Sequence, residues 1–156
     1  MKAHQLKIQL TQEGHDNLKV ELEELMKIKR PAAVTRLSKA RSMGDLAENS
    51  EYHAAKEELA FVAGRVTEVE TILKNAKVVS SVRTADKISL GSKIKVKSDN
   101  GEESFEIVGE FEANPIEKKL SSTSPIGLAL IGRAVGETAE VVAPAGNKSY
   151  KVVEIK

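Results

Sequence analysis

Three acidic residues stand close together in the first half of the chain and are its clearest candidates for chemistry. Asp45, Glu48 and Glu51 fall within seven residues of one another. Paired carboxylates supply hard oxygen ligands or proton acceptors, and a pair that leaves several waters in place suits Mg²⁺. Two protein ligands alone hold such an ion weakly. A metal role for Asp45 and Glu48 therefore requires further carboxylates or phosphates from a partner.

The same two residues have a structural alternative. Asp45, followed three residues later by Glu48, has the spacing of a capping box, whose side chains bond to free N–H groups at a helix start. Acidic side chains near a helix N-terminus also suit the helix dipole. Spacing alone favours capping, so both interpretations stay open at this point.

A basic run lies immediately before the acids. From Leu25 to Gly44 there is no acidic residue. A stripe of Lys and Arg can neutralise the phosphates of a nucleic-acid strand, but a charged run is more often a solvated helix face. The run contains six basic residues: Lys27, Lys29, Arg30, Arg36, Lys39 and Arg41.

Two long helices are expected to flank these residues. After the acids, apolar residues recur at alternating spacings of three and four, which predicts a helix with a narrow heptad seam and so a partner helix. The seam residues are Tyr52, Ala55, Leu59, Val62, Val66, Val69, Leu73 and Ala76. Packing is the expected role of Tyr52, and a structural or solvated role that of the neighbouring His53.

The preceding segment, residues 12–43, supplies the partner helix, about 48 Å long at the helical rise. Thr11 is its expected N-cap, and Pro31 should kink the helix without ending it. Gly44 can terminate it, and a short connection then gives an antiparallel αα-hairpin with a protruding tip. Its noisier stripe, in which Lys29 occupies one position, comprises His15, Leu18, Leu22, Leu25 or Met26, Ala33, Leu37 and Ala40.

The second half of the chain has the period of strands and turns. Residues 93–97 alternate, Asn100-Gly101 is a hairpin signal, and residues 104–108, 139–143 and 150–155 predict further strands. Residues 125–132 predict a short helix. The expected fold class is α+β: a helical hairpin domain over residues 1–76 and a small domain with an antiparallel sheet over 77–156.

Composition excludes several kinds of site. The chain has no cysteine, so disulfides, thiolate metal sites and thiol catalysis are absent. Its net charge of +1 gives no overall field toward nucleic acid or membranes. We expect a cytoplasmic protein with no membrane partner, because neither a signal core nor a membrane-length apolar run occurs. We also expect a monomer, since an intramolecular hairpin satisfies the seam.

A longer motif identifies a family. Residues 44–57, GDLAENSEYHAAKE, resemble the GDLxENxEYHAA signature of the bacterial Gre transcript-cleavage factors, most closely the GreA type. Residues 29–31 and 40–41, and downstream 124–126 and 130–132, are also similar to the family. The resemblance implies a coiled-coil hairpin and an immunophilin-like C-terminal domain that docks at the secondary channel of RNA polymerase.

The resemblance also implies a function and its residues. The hairpin would pass down the channel, where Asp45 and Glu48 help hold a second Mg²⁺ that is shared with the polymerase and absent from the isolated protein. The chain would then be an accessory factor, not itself an enzyme, that stimulates cleavage of backtracked RNA near its 3′ end. Arg41 and Lys56 match basic positions for RNA contact, and Ser124 and Pro125 match the docking loop.

Charge balance qualifies this interpretation. Residues 11–75 hold 10 basic and 12 acidic side chains, a net of −2, so the grip on long extruded RNA should be modest. That balance agrees with the GreA-like assignment.

Two other classes of function remain open. A C-terminal domain of the immunophilin type suggests a prolyl isomerase, although Phe105, Phe111 and Tyr150 are few aromatics for its pocket. A channel binder that competes without cleaving would share the same shape, but the retained Asp45 and Glu48 argue against it.

Overall fold

The computed structural model describes residues 8–79 and 86–156. These residues form two compact units, which are described in turn. The first comprises His15–Asn75. The second combines residues 8–14, 76–79 and 86–156.

The helical unit is an αα-hairpin, as predicted. Its first arm joins α1 (Gln12–Glu24), a π-helical segment (Leu25–Lys29) and α2 (Arg30–Ser42), and its second is α3 (Ser50–Asn75). Cross-arm ion pairs join Glu21 to Arg65 and Arg36 to Glu58, so the arms run antiparallel. The arm begins as expected, because Thr11 Oγ1 accepts the Gly14 N–H at 3.1 Å.

The predicted seam is buried along most of α3. Ala55, Val62, Val66 and Val69 are buried, while Tyr52 and Leu59 are half-buried. Beyond Val69 the prediction was wrong by one residue, because Ile72 is 3% exposed and Leu73 only half-buried.

The first arm changes register at its π-helical segment. Buried seam residues follow one another at seven, eight and seven positions: Leu18, Leu25, Ala33 and Ala40. The step of eight spans the π turn, where the Arg30 N–H bonds to the Leu25 carbonyl five residues back. A π turn absorbs one extra residue without ending the helix. The seam therefore continues past Pro31.

This extra residue corrects the prediction for Lys29. Its side chain is not in the seam but 54% exposed, with Nζ 3.9 Å from Glu24. The seam resumes at Ala33, which is 1% exposed. Heptad spacing places Lys29 inward only if every turn is α-helical.

The second unit is built on a five-stranded sheet. Its strands are β3 (Lys93–Ser98), β4 (Gly101–Val108), β5 (Lys119–Ser121), β6 (Thr138–Ala143) and β7 (Gly146–Ile155); a 3₁₀ turn (Glu110–Glu112) follows β4, and α4 (Pro125–Leu130) follows β5. The strand order across the sheet is β5-β4-β3-β7-β6, and the pairs are antiparallel except for β4 with β5. The core includes Ile94, Val96, Ile107, Leu130 and Val152.

A second, two-stranded sheet belongs to the same unit. Strands β1 (Ile8–Leu10) and β2 (Ala76–Val78) pair in parallel. Leu10 is fully buried, and both the backbone N–H and the hydroxyl of Thr11 donate to the Glu112 carboxylate. The predicted division assigned residues 1–76 to the hairpin domain, whereas residues 8–14 pack with the C-terminal residues.

Candidate functional site at the hairpin tip

The two helical arms are joined by the tip loop, residues 43–49. Met43 caps α2 with its N–H on the Ala40 carbonyl, and Gly44 follows with φ 78°. Gly44 thus ends the arm in the left-handed region that glycine adopts without strain, as predicted. Asp45 also has a positive φ, 41°, and its carbonyl accepts the Glu48 N–H at 3.1 Å. The loop is therefore a defined turn with both acids in it.

The structure decides against capping as the role of Asp45 and Glu48. The cap of α3 is Asn49, whose Oδ1 accepts the Tyr52 N–H at 3.1 Å. Asp45 stands five residues before the first residue of the helix, Ser50. Spacing misled because a capping box requires the helix to begin right after its first residue, and here the tip loop intervenes.

Both tip carboxylates are exposed and uncommitted. Within residues 8–79 and 86–156, neither Asp45 nor Glu48 forms an ion pair or a side-chain hydrogen bond. The carboxylates are therefore available to an outside ligand such as a metal ion. Over the same ranges, no three or more His, Asp or Glu side chains gather as a metal site. An ion at the tip would need ligands from a partner.

The third acid, Glu51, is already committed to the hairpin. Arg36 reaches across from α2 and donates to it twice, from Nε at 2.6 Å and from Nη2 at 3.1 Å. These hydrogen bonds lower the pKa of Glu51 and raise that of Arg36, which also bonds to Glu58. Glu51 therefore braces the helices, and the chemically free set contains Asp45 and Glu48.

The residues of the basic run also fall into two groups, those held in ion pairs and those without one. Lys27 pairs with Glu23 and Lys29 with Glu24, while Arg36 is held as described. In the described part of the chain no ion pair involves the other three, Arg30, Lys39 and Arg41, or the exposed Lys56 of α3. The two predicted RNA contacts are thus cations without an ion pair in the described residues, Arg41 in the last turn of α2 and Lys56 in the second turn of α3.

Sequence reasoning missed two features of the tip. Asn49 was part of the motif but received no role. Met43 and Leu46 are 74% and 39% exposed, so apolar side chains flank Asp45 at the surface. Their position just outside the helices was the available signal, because a large apolar residue in an exposed turn has no core to enter.

The predicted docking residues lie at the start of α4. Ser124 Oγ accepts the Gly127 N–H at 3.1 Å and donates to the Ser121 carbonyl at 2.7 Å. Its hydroxyl thus caps the helix, while Pro125 is exposed at the first helical turn. Farther along, Leu128 is 64% exposed. An outside partner can therefore reach Pro125 and Leu128 more readily than the Ser124 hydroxyl.

The aromatic residues of the second unit do not gather into a pocket. Tyr150 is 7% exposed in the core and Phe111 is 42% exposed. A groove of about 480 Å³ does lie across β3 and β4, but among the described residues Phe105 is the one aromatic in its lining. The rest of that lining is mainly lysine and glutamate, unlike the aromatic-lined pocket expected of a prolyl isomerase.

The remaining predicted roles at the tip are structural. His53 Nε2 lies 3.3 Å from the Ala47 carbonyl, and its ring meets that of Tyr52 edge-on at 5.6 Å. These contacts agree with the structural role expected of His53.

None of the helices in the described ranges is both long and apolar enough to cross a bilayer.

Comparison with known proteins covers almost the whole chain. Residues 8–78 match the family model of the transcription elongation factor N-terminal domain, and residues 83–156 match that of the GreA/GreB C-terminal domain. The transcription elongation factor GreA of Lactococcus lactis is 45% identical over 149 residues, which cover 94% of this chain and 96% of that protein. GreA of Paracoccus denitrificans is 42% identical over 152 residues, covering 96% and 97%.

A solved structure is similar as well. The GreA factor homolog 1 (Gfh1) of Thermus thermophilus is 28% identical and aligns with a TM-score of 0.45, covering 96% of this chain and 99% of that one. The family assignment rests on the sequence relatives, whose identity is much higher.

Proposed function

The chain belongs to the GreA/GreB family of transcription elongation factors, as a GreA-type member, and from this premise we propose that it stimulates transcript cleavage by RNA polymerase. In this proposal the hairpin enters the secondary channel of the bacterial enzyme. A backtracked complex, whose RNA 3′ end has left the active site, is cut and can resume elongation. The factor is an accessory and has no nuclease activity of its own.

The observation that supports this function is the state of the two tip carboxylates. Asp45 and Glu48 lie three residues apart in an exposed turn, and neither is used by the fold in the described residues. No side-chain bond within the described residues accounts for the two acids, and Asp45 adopts a positive φ, which is uncommon for residues other than glycine. Their placement is understandable if they bind something outside the chain.

Hard oxygen ligands suit Mg²⁺, and two of them are enough where a partner supplies the rest. Held between the two proteins, such an ion would be one of two, of which one activates water and the other stabilises the leaving oxygen of a phosphodiester. Asp45 and Glu48 would hold the ion and accept hydrogen bonds from the attacking water. The chain thereby contributes negative charge and orientation to a site whose other ligands belong to the polymerase and the RNA.

The neighbouring cations fit the same function. Arg41 and Lys56 carry no ion pair within the described residues, so they can approach phosphates of the extruded RNA. Arg36 cannot do so without releasing Glu51 and Glu58. Docking would use the outer face of the second unit around Pro125, with Ser124 holding α4 in shape.

The function is tested on a defined polymerase complex that has been halted and backtracked, with labelled RNA. Added factor should shorten the RNA from its 3′ end and allow extension when nucleotides are restored. Inhibition of elongation without shortening would replace the proposal with a competitor of the channel. Binding without either effect would also contradict it.

A further inference from the structure

One side chain, Asn49, joins both ends of the tip loop. Its Nδ2 donates to the Ala40 carbonyl at 2.9 Å and to the Gly44 carbonyl at 3.4 Å, while its Oδ1 accepts the Tyr52 N–H at 3.1 Å. A single amide therefore bonds to the end of α2, the start of the loop and the first turn of α3. These three bonds are called the Asn49 staple below.

We propose that Asn49 is a positioning residue: the staple sets the conformation in which Asp45 and Glu48 present their carboxylates. This inference rests on the proposed function, because it assigns Asn49 a role at the same site. It adds that the loop is built to hold the two acids, and not merely to connect two helices.

The burial and chemistry of the staple support this role. Asn49 is half-buried, whereas residues 41–48 are all exposed. Its carbonyl partner Ala40 is 1% exposed, so the amide reaches from the loop into the packed end of the hairpin. The last carbonyls of a helix lack the usual i+4 donor. The Ala40 carbonyl accepts the Met43 N–H, and the amide adds a second, shorter bond to it. The asparagine amide satisfies all three partners, because its NH₂ group donates to both carbonyls and its oxygen accepts the Tyr52 N–H.

The loop would be poorly determined without the staple. Gly44 and Asp45 both have positive φ, which an aspartate adopts only when its surroundings favour it. The other restraints on the loop in the described residues include the Glu48 N–H on the Asp45 carbonyl, the Gly44 N–H on the Arg41 carbonyl and His53 Nε2, which lies 3.3 Å from the Ala47 carbonyl. None of these joins both helical arms through one side chain. Metal ligands must be held to within about 0.5 Å of their productive geometry. A loop with free ends would keep the acids but lose that precision.

Substitution can separate the staple from the helix cap. Asparagine, aspartate and serine are all good N-caps, so Asn49→Ser and Asn49→Asp should keep the cap on Tyr52. Aspartate retains the shape but turns an oxygen toward two carbonyl oxygens, and serine is too short to reach Ala40. Serine also adds no charge near the tip. Loss of function shared by the two variants would therefore report the missing amide donor.

Asn75 offers a matched control within the same helix. Its Nδ2 donates to the Thr71 carbonyl at 2.9 Å at the other end of α3. Asn75→Asp removes a similar amide donor and adds the same charge, but leaves the tip loop untouched. It should behave like the native chain in every measurement below.

Two measurements on the full chain test the proposal. The first is RNA cleavage in the backtracked complex as a function of factor concentration. Asn49→Ser and Asn49→Asp should lower the maximal cleavage rate about tenfold or more while the half-saturating concentration changes less than about twofold. A structural defect in the hairpin would weaken both quantities together. Unchanged maximal rates would overturn the role assigned to Asn49.

The second measurement needs no polymerase. Backbone ¹⁵N relaxation should show greater fast motion at residues 44–48 in Asn49→Ser, with the amide of the seam residue Val62 unchanged. Equal loop order in the native and variant chains would refute the staple itself. If the native factor fails to stimulate RNA cleavage by the polymerase, the proposed function and the positioning role of Asn49 in it are both overturned. The relaxation data still decide whether Asn49 orders the loop.

Discussion

The three neighbouring carboxylates at the tip of the hairpin differ in whether the fold uses them. Glu51 is bonded twice by Arg36, whereas Asp45 and Glu48 are free of such partners in the described residues. A spacing motif treats acids alike, because it does not record which side chain from the other arm arrives opposite each one. The separation of bracing from available carboxylates therefore required the folded hairpin.

Removing the charge of Asp45 should leave the fold intact. We expect Asp45→Asn to change the free energy of unfolding by less than about 0.5 kcal/mol, since the site is exposed and asparagine tolerates a positive φ. Thermal unfolding followed by circular dichroism checks this. A loss of about 1 kcal/mol or more would contradict this expectation, because it would mean that the charge of Asp45 stabilises the hairpin. Asparagine is as good an N-cap as aspartate, so this variant isolates the charge and leaves capping unchanged.

The candidate site could be located from sequence but not resolved. The motif and its acids indicate a candidate site on residues 44–51. Spacing alone favoured Asp45 as a cap, since nothing in the spacing shows that α3 starts at Ser50 and not next to Asp45. The roles of Asp45, Glu48, Arg41, Lys56, Ser124 and Pro125 in binding or cleavage stay predictions.

At the scale of elements, the hairpin depends on cross-arm ion pairs near its tip. Arg36 lowers the pKa of Glu51, so the native state holds the charged carboxylate more firmly than the unfolded chain does. The stabilisation is complete above the unfolded pKa of Glu51 and is lost as the pH falls through its lower folded pKa. Acid should therefore weaken the hairpin.

We expect Glu51→Gln to reduce the slope of stability against pH between about pH 5 and pH 2. Urea unfolding followed at 222 nm over this range measures the slope. Glu70→Gln is the control, because Glu70 is an exposed acid of the same helix with no ion pair in the described ranges. An identical slope for Glu51→Gln and the native chain would mean that the pair does not stabilise the hairpin.

The π-helical segment should be the one place in the first arm that tolerates loss of a residue. Deleting the exposed Ile28 converts the step of eight between Leu25 and Ala33 into a regular seven. Because Pro31 would then lie within a continuous α-helix, the deletion is made together with Pro31→Ala. We expect the chain with both changes to have a melting temperature close to that of the Pro31→Ala variant alone.

A matched deletion of the exposed Val20 should destabilise the hairpin far more. It shortens the step from Leu18 to Leu25 from seven positions to six, so one of these buried leucines must leave the seam. The expected cost is about 1.5–3 kcal/mol for that side chain. Melting temperatures of the two deletions compare them directly, and equal losses would show that the π turn does not set the register.

Elements with a long period and the short helix α4 could be predicted, whereas the shortest strands could not. The two helical arms, β3 and β7 repeat their pattern over enough residues to be recognised. Strands β1, β2 and β5 have three residues each, too few for any period, and two of their pairings join segments distant in sequence. The π turn likewise changes only one step of the seven-residue repeat, so the sequence does not distinguish it from an ordinary irregularity of the seam.

At the scale of the whole molecule, the chain leaves the second unit after residue 14 and returns to it at residue 76. The return is marked by β1 against β2 and by Thr11 bonding to Glu112. A residue near the N-terminus should therefore matter to the stability of the C-terminal fold.

Leu10→Ala tests this connection. Leu10 is fully buried, so we expect a loss of about 2–5 kcal/mol in the stability of the second unit. Urea titration followed by amide signals should shift the transition at Val152 to lower urea. Ile8→Ala, at a half-buried position of the same strand, should shift it less. A shift confined to Val62 of the hairpin would contradict the assignment of residues 8–14.

The central claim is that two uncommitted carboxylates complete a Mg²⁺ site when the factor joins the polymerase. The most direct measurement is the Mg²⁺ dependence of RNA cleavage in a backtracked complex, with the native chain and with the Asp45→Asn, Glu48→Gln double variant. The native factor should lower the Mg²⁺ concentration for half-maximal cleavage, and the double variant should bind equally well without doing so. A double variant with the native Mg²⁺ curve would contradict the claim.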